Sequence, residues 1–270
     1  MLDREVTPKW RGRKIQDIAR RDVVEVLDGL MDRGVGRMTN MVFSVLRKLF
    51  RWCVERDVIA VSPCTGMRPP CPEASRDRVL NDGELKRFWA ATDALGYPFG
   101  PMFKLLLVTG QRLGEVAGII WTEIHLDERI WSLPRQRAKN DRAHEVPLSD
   151  LAIEIVESLP KSDRETALVF TTTGKTPVSG FSRAKRHLDA AMRVQPDQQA
   201  IPPWTLHDLR RTVATGMQRL GITPQVTEAV LNHKSGTIRG VAAVYARHDY
   251  AQEKRDALDA WAQRLVSVAL

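Results

Sequence analysis

From Thr39 to Arg56 the apolar residues Val42, Val45, Leu46, Leu49 and Cys53 recur at three- and four-residue steps, which places them on one stripe of a helix. Thr39 stands where an N-cap belongs. Val23, Val26, Leu27 and Leu30 show the same period, so an earlier helix begins near Arg21. Residues 67 to 78, Met-Arg-Pro-Pro-Cys-Pro-Glu-Ala-Ser-Arg-Asp-Arg, carry three prolines and no apolar period, the composition of a linker. The pattern therefore predicts a small all-helical unit over residues 1–66, a linker over 67–78 and a second domain over 79–270.

In the second domain Asn81 or Asp82 caps a helix carrying Leu85, Phe88 and Trp89, and another apolar helix runs from Pro101 to Val108. Thr109 and Gly110 interrupt it, and a new helix is expected from Gln111 to about Ile120. Arg129 to Leu133 and Ala143 to Leu148 read as strands on either side of the basic stretch Pro134 to Arg142, a hairpin with an exposed tip. Helices follow after Asp150, with Ile153, Val156 and Leu159 on one side, and from Ser179 to Met192, before a polar loop containing proline. Thr205, with Asp208 three residues on, starts a helix that stops at Gly221, and Thr223-Pro224 opens the next. Asp249 to Val266 forms an amphipathic helix with Ala257, Leu258, Trp261 and Leu265 on one side. The fold class is mainly α with a small β-sheet (α+β).

Composition narrows the setting. Of the 270 residues 43% are apolar and 27% charged, and no apolar run approaches the length of a membrane span, so no membrane partner is expected. The start of the sequence has no signal-peptide pattern, which makes the cytoplasm the expected location. Cys53, Cys64 and Cys71 are an odd number without C-x-x-C spacing, so neither a disulfide framework nor a zinc site is indicated. The net charge of +8 favours a polyanion, and residues 1–80 supply +5 of it. Within that region Arg47, Lys48 and Arg51 make a basic helix face suited to DNA backbone phosphates; taken alone, it is equally a solvated face.

The chemistry-bearing residues are unremarkable one at a time. Arg112 and Glu115 are spaced as an ordinary helical ion pair, and His207 and Arg210 form H-x-x-R near a helix N-terminus, where anions are favoured. Lys139 is a hairpin-tip lysine, His233 the end of a helix and Tyr245 a half-buried aromatic. Their order is informative. Thr109-Gly110-Gln111-Arg112-Leu113-Gly114-Glu115, Lys139-Asn140, Leu206-His207-Asp208-Leu209-Arg210, Leu231-Asn232-His233 and Val244-Tyr245 together resemble the tyrosine recombinases, or phage integrases. The basic helix ending Phe50-Arg51-Trp52-Cys53, followed by Ser62-Pro63 and Gly66, is similar to the end of that family's core-binding domain.

Phosphodiester transesterification loads charge onto non-bridging oxygens, which preorganised donors stabilise, and two arginine forks meet that need. A tyrosine hydroxyl, with a pKa of about 10, needs a proton acceptor, for which His207 is the candidate. The resemblance implies Tyr245 as nucleophile, Lys139 as general acid on the leaving 5′ oxygen, His233 as a donor to the scissile phosphate and a 3′-phosphotyrosyl intermediate. It also implies strand exchange at double-stranded DNA attachment sites by a homotetramer, with accessory DNA-bending or directionality proteins, and with neither ATP nor metal as cofactor. No Walker loop or acidic cluster speaks otherwise. Of the three tyrosines, Tyr97 precedes Arg112 and so stands outside the motif order. Tyr250 competes, but it follows Asp249, a cap, and lies seventeen residues after His233 against twelve for Tyr245.

The family's arm-binding domain and the first core-binding helix find no counterpart, since only a short lead precedes Trp10; a partial core-binding domain is expected. Three rivals remain: a type IB topoisomerase-like nicking and closing enzyme, a DNA-binding remnant without catalysis, and a basic scaffold or RNA-binding module. The last explains none of the spacing.

Overall fold

The computed structural model describes residues 1–72, 77–160, 167–193, 200–233 and 249–269. The chain divides into two compact units, Met1–Arg76 and Asp77–Leu270.

In the first unit α1 (Leu2–Glu5) and α2 (Thr7–Trp10) precede the long helices α3 (Arg20–Met31) and α4 (Gly36–Glu55). The two short helices occupy what the sequence reading treats as a featureless lead; four residues each are too few to show a period, but Val6 between them is buried in the unit's core. Val23, Val26, Leu27 and Leu30 of α3 meet Val42, Phe43, Leu46 and Phe50 of α4. Thr39 is not the cap of α4. The helix starts a turn earlier, after Val35, and the buried Thr39 hydroxyl donates to the Val35 carbonyl at 3.2 Å, bonding backwards along its own helix. The proline-rich stretch is tied to α4 as far as Cys71, whose amide donates to Asn40 Oδ1 at 3.0 Å and whose carbonyl accepts from Asn40 Nδ2 at 2.8 Å.

The second unit runs α5 (Asp82–Leu95), α6 (Phe99–Thr109), α7 (Leu113–Ala117), β1 (Ile124–His125), β2 (Ile130–Leu133), β3 (His144–Pro147), α8 (Asp150–Glu157), α9 (Phe181–Ala191), α10 (Leu206–Arg219), α11 (Pro224–Val230) and α12 (Ala251–Ala269). Asn81 caps α5 by accepting from the Glu84 amide at 2.9 Å while Glu84 returns the bond to the Asn81 amide, also at 2.9 Å. Helix α6 is apolar on nearly every side, the pattern of a helix buried all round. It accordingly packs against α5, α7, α8, α10 and α12. The three strands form an antiparallel sheet in the order β1-β2-β3, with Trp131 paired to Val146 and Leu133 to His144. Trp131, Leu133 and Val146 face the core, as the period-two pattern of the hairpin predicts.

Helix α7 is shorter than expected. It ends at Ala117 because the backbone beyond is used otherwise: the Gly118 carbonyl accepts from the Arg137 guanidinium, and Ile119 and Trp121 bond to residues 167–169. Helix α12 buries Ala257, Leu258, Trp261 and Leu265, and Trp261 Nε1 donates to the Leu107 carbonyl at 2.9 Å. That seat requires a glycine opposite, since a Cβ on Gly216 would lie 2.2 Å from the Trp261 ring. Gly216→Ala should therefore cost about 1–3 kcal/mol through overpacking, read as a lowered urea midpoint with unchanged slope. A variant as stable as the parent would show that Trp261 is not fixed there.

Candidate active site

The site is organised around the end of α11. Asn232 adopts a left-handed conformation, φ +46°, which asparagine tolerates better than most residues. The turn is a Schellman motif: the His233 amide donates to the Glu228 carbonyl at 3.0 Å and the Asn232 amide to Ala229 at 3.1 Å. Two of the last four helix carbonyls are satisfied in this way. The other two, on Val230 and Leu231, and the next, on Asn232, face the rest of the site.

Each receives donors from elements remote in sequence. Gln111 Nε2 donates to the Val230 carbonyl at 2.9 Å, and His144 Nε2 lies 3.0 Å from the same oxygen. Arg210 donates to the Leu231 carbonyl and, through Nη1, to Gly110 at 2.6 Å. Arg112 Nη2 reaches the Asn232 carbonyl at 3.1 Å. The two arginines come from opposite local settings. Arg112 caps α7 and is partly exposed, whereas Arg210, five residues into α10, is only 4% exposed. Gly110, with φ +67°, makes the approach possible; a Cβ there would stand 2.8 Å from Leu231 Cδ2 and 3.0 Å from Val213 Cγ1.

Glu115 is the buried counter-charge of Arg112. Its Oε1 accepts from Arg112 Nη1 at 3.0 Å and from the Lys139 amide at 3.2 Å, so one carboxylate binds both the first arginine and the hairpin. Arg137 fixes the arm from the other side: Nε and Nη2 each lie 2.8 Å from the Glu123 carboxylate, which also accepts from Trp131 Nε1 at 3.1 Å. Lys139 is exposed, and its ammonium makes no hydrogen bond among the described residues.

The field at this place is positive. Burial, then Arg112, push the Arg210 guanidinium down to about 9, still protonated at neutral pH. His207 is lowered by burial and then by Arg211 and Arg210, with Lys139 adding to the effect. His233 is pushed down to about 4 by burial and by Arg210, Arg112 and His207. Neutral imidazoles beside fixed guanidinium groups can accept a proton or donate a hydrogen bond, and the surplus charge is suited to an anion. Arg210 Nε is buried and has no acceptor among the described residues.

The structure thus brings Arg112, Glu115, Lys139, His207, Arg210 and His233 into one network of hydrogen bonds and mutual fields. Tyr245 lies outside the described residues. Tyr97 is occupied elsewhere, its hydroxyl bonded to the Val169 and Thr171 carbonyls at 3.2 and 3.0 Å. The Asp249 carboxylate accepts from the Ala251 amide at 3.1 Å just before α12, and Tyr250, the residue that directly precedes the helix, has φ +54°. On the first unit Arg47, Lys48 and Arg51 are all exposed along α4; Arg47 stacks over the Phe43 ring and Arg51 pairs with Glu55. Gln111, Arg137, Asn140, His144 and Asn232 belong to the site although the sequence reading assigns them no role there. For Asn140 and Asn232 the available signal was adjacency to Lys139 and His233.

Residues 78–252 match the model of the phage integrase family. The chain belongs to that family. The integrase of Enterobacteria phage 434 is 25% identical over 232 residues, covering 83% of this chain and 63% of that protein. Prophage integrase IntA of Escherichia coli (strain K12) is 30% identical over 161 residues, 60% of this chain and 37% of that protein. The chain thus spans less than two-thirds of the length of these relatives. Among solved structures, a lambda integrase dimer bound to a COC′ core site shares the fold at a TM-score of 0.67 and 20% identity, with 92% of this chain and 69% of that chain covered. The Tn1549 transposon integrase in complex with a circular intermediate DNA gives 0.67 at 15% identity, covering 90% and 87%. The expected family and the α+β fold class both hold. Among the described residues no helix is long and apolar enough to cross a membrane.

Two outcomes follow for the integrase site. Glu115→Ala removes the buried carboxylate that holds Arg112 and the Lys139 amide and should cost about 1–3 kcal/mol of stability, measured by denaturant unfolding. The His233 ring of the free protein should titrate near about 4 and move upward when sulfate is added, followed by nitrogen-detected NMR of the imidazoles. A midpoint near the ordinary histidine value in the free protein would mean that the ring is neither buried nor held in a positive field.

Proposed function

We propose that the chain is a site-specific DNA recombinase of the prophage-integrase type, cutting and rejoining DNA through a 3′-phosphotyrosine intermediate. The observation that supports this most directly is the anchoring of Arg112 and Arg210 on adjacent carbonyls, Asn232 and Leu231, with the Glu115 carboxylate buried against Arg112. Guanidinium groups held by fixed acceptors need no reorganisation when charge develops on a phosphate, which is the condition for electrostatic catalysis.

In this reading the Tyr245 hydroxyl attacks the scissile phosphorus and gives its proton to His207, kept neutral by its surroundings. The bond from phosphorus to the 5′ oxygen breaks. That oxygen takes a proton from the Lys139 ammonium, and Arg112, Arg210 and His233 hold the non-bridging oxygens. Rejoining runs the same steps backwards from a 5′ hydroxyl, so the bond energy is conserved in the phosphotyrosine. Arg47, Lys48 and Arg51 contact backbone phosphates from α4, adding salt-dependent affinity without reading sequence. The substrate is double-stranded DNA with attachment sites, and the working assembly is a homotetramer on that DNA. A lambda integrase tetramer bound to a Holliday junction is among the proteins sharing the fold. Accessory proteins that bend the DNA or set direction complete the system, which acts in the cytoplasm.

The test uses a pool of nicked duplexes of randomised sequence, in which the nick lets a short 5′-hydroxyl fragment diffuse away and traps the adduct. Protein-linked DNA is recovered under denaturing conditions, sequenced and resynthesised as a defined substrate. The parent should form the adduct and Tyr245→Phe none. Arg112→Ala or Arg210→Ala should slow it by about 10²–10³, and Lys139→Ala by about 10²–10⁴. An adduct that survives Tyr245→Phe, or no adduct from the parent, overturns the proposal.

A further inference from the structure

Asn140 follows Lys139 at the hairpin tip, and its side chain is turned inward to the turn after α11. Nδ2 donates to the Asn232 carbonyl at 2.9 Å and lies 2.6 Å from Asn232 Oδ1, while Asn232 Nδ2 returns a bond to Asn140 Oδ1 at 3.3 Å. The same Asn232 carbonyl holds Arg112 Nη2 at 3.1 Å. One residue earlier, the Lys139 amide is bound to Glu115 Oε1, the oxygen that also holds Arg112 Nη1. The contacts close into a ring: Arg112 to Glu115, Glu115 to the Lys139 backbone, along the chain to Asn140, Asn140 to Asn232, and Asn232 back to Arg112. The backbone of Lys139 is held on both sides while its ammonium makes no hydrogen bond among the described residues.

Such a ring answers a particular difficulty. A lysine is a point charge on a flexible four-carbon stem, and on an exposed hairpin it would spend its time in water. Proton transfer needs the donor within hydrogen-bond reach of the leaving oxygen, and a displacement of about 1 Å can cost about 10²-fold in rate. We propose that Asn140 is the positioning residue for leaving-group protonation: its clasp with Asn232 ties the Lys139 arm to the Arg112 anchor, so that phosphate capture and proton delivery occur in register. The inference rests on the reading of Lys139 as general acid given above, and adds a residue to it. It also accounts for the amide at position 140, where a carboxylate would set an anionic oxygen against the Asn232 carbonyl and a shorter side chain would not span the gap.

The test separates positioning of the acid from support of the fold. The defined nicked substrate is made in two forms, one with the natural 5′ oxygen and one with sulfur in its place. A departing thiolate, whose conjugate acid has a pKa of about 8–9, leaves without being protonated. Asn140→Asp, of the same size but unable to donate, should form the adduct about 10²-fold more slowly than the parent on the oxygen substrate and at the parent's rate on the sulfur substrate. Lys139→Ala should show the same selectivity, and adding Asn140→Asp to it should slow the oxygen reaction no further. Asn232→Gly, which keeps the left-handed turn and the carbonyl but removes the side-chain half of the clasp, should fall between parent and Asn140→Asp. Equal slowing of Asn140→Asp on both substrates, or no slowing on either, would overturn the clasp while leaving the catalytic assignment standing. Equal slowing of Lys139→Ala on both would remove the general acid and the clasp with it, and no adduct from the parent on either substrate would overturn both.

Discussion

Carbonyls left over at the end of a seven-residue helix hold the candidate site together. The Schellman turn of α11 uses the oxygens of Glu228 and Ala229, and those of Val230, Leu231 and Asn232 then accept Gln111 and His144, Arg210, and Arg112 and Asn140 respectively. A guanidinium as buried as that of Arg210 is costly unless its N–H groups find fixed acceptors, and the helix end offers acceptors together with the negative pole of its dipole. Other features follow from this seat. Gly110 must be a glycine for α6 to bring its own carbonyl to Arg210, and Asn232 must turn left-handed for its oxygen to face Arg112. Helix α12 packs on α11 and on β3, where the buried Lys254 ammonium donates to the Glu145 carbonyl at 3.0 Å, so the last helix supports the hairpin and the carbonyl cluster at once.

Much of this is legible in the sequence because the charged side chains of the candidate site are placed by local rules. Arg112 and Glu115 sit three apart on a short helix, His207 and Arg210 three apart near the start of a capped one, and Lys139 between two alternating strands. Those spacings fix which side chains share a face. The acceptors that orient them were not legible, because a backbone carbonyl is the same for every residue type. The bonds from Gln111 to Val230, Asn140 to Asn232 and His144 to Val230 span 119, 92 and 86 positions. Asn232 looked like part of a helix-end motif around His233, although it is the residue that makes the turn. Errors in the elements have the same origin. Local grammar predicts a cap at Thr39 and a helix continuing past Ala117, but backbone partners decide both, Val35 in one case and residues 167–169 in the other.

The ring through Arg112, Glu115, Lys139, Asn140 and Asn232 shows how a protein can make an exposed lysine precise without burying it. Burial would lower the ammonium's affinity for its proton and lengthen its path to a substrate arriving from solvent. Fixing the backbone instead, through Glu115 on one side and Asn232 on the other, leaves the side chain hydrated and charged and restricts only its origin.

The same economy governs the charge balance. Glu115 faces Arg112 and Arg210 while the buried Asp208 is paired with Arg211, and the positive charge left over adds to burial in lowering Arg210 to about 9 and His233 to about 4. Full neutralisation by a further buried acid would relieve that repulsion. It would also remove the attraction for an anion, because whatever cancels the field in the free protein must be displaced or repelled when the anion arrives. An anion that relieves the repulsion would bind the folded site and not the unfolded chain, so anion affinity and the stability of the carbonyl-anchored cluster are linked quantities.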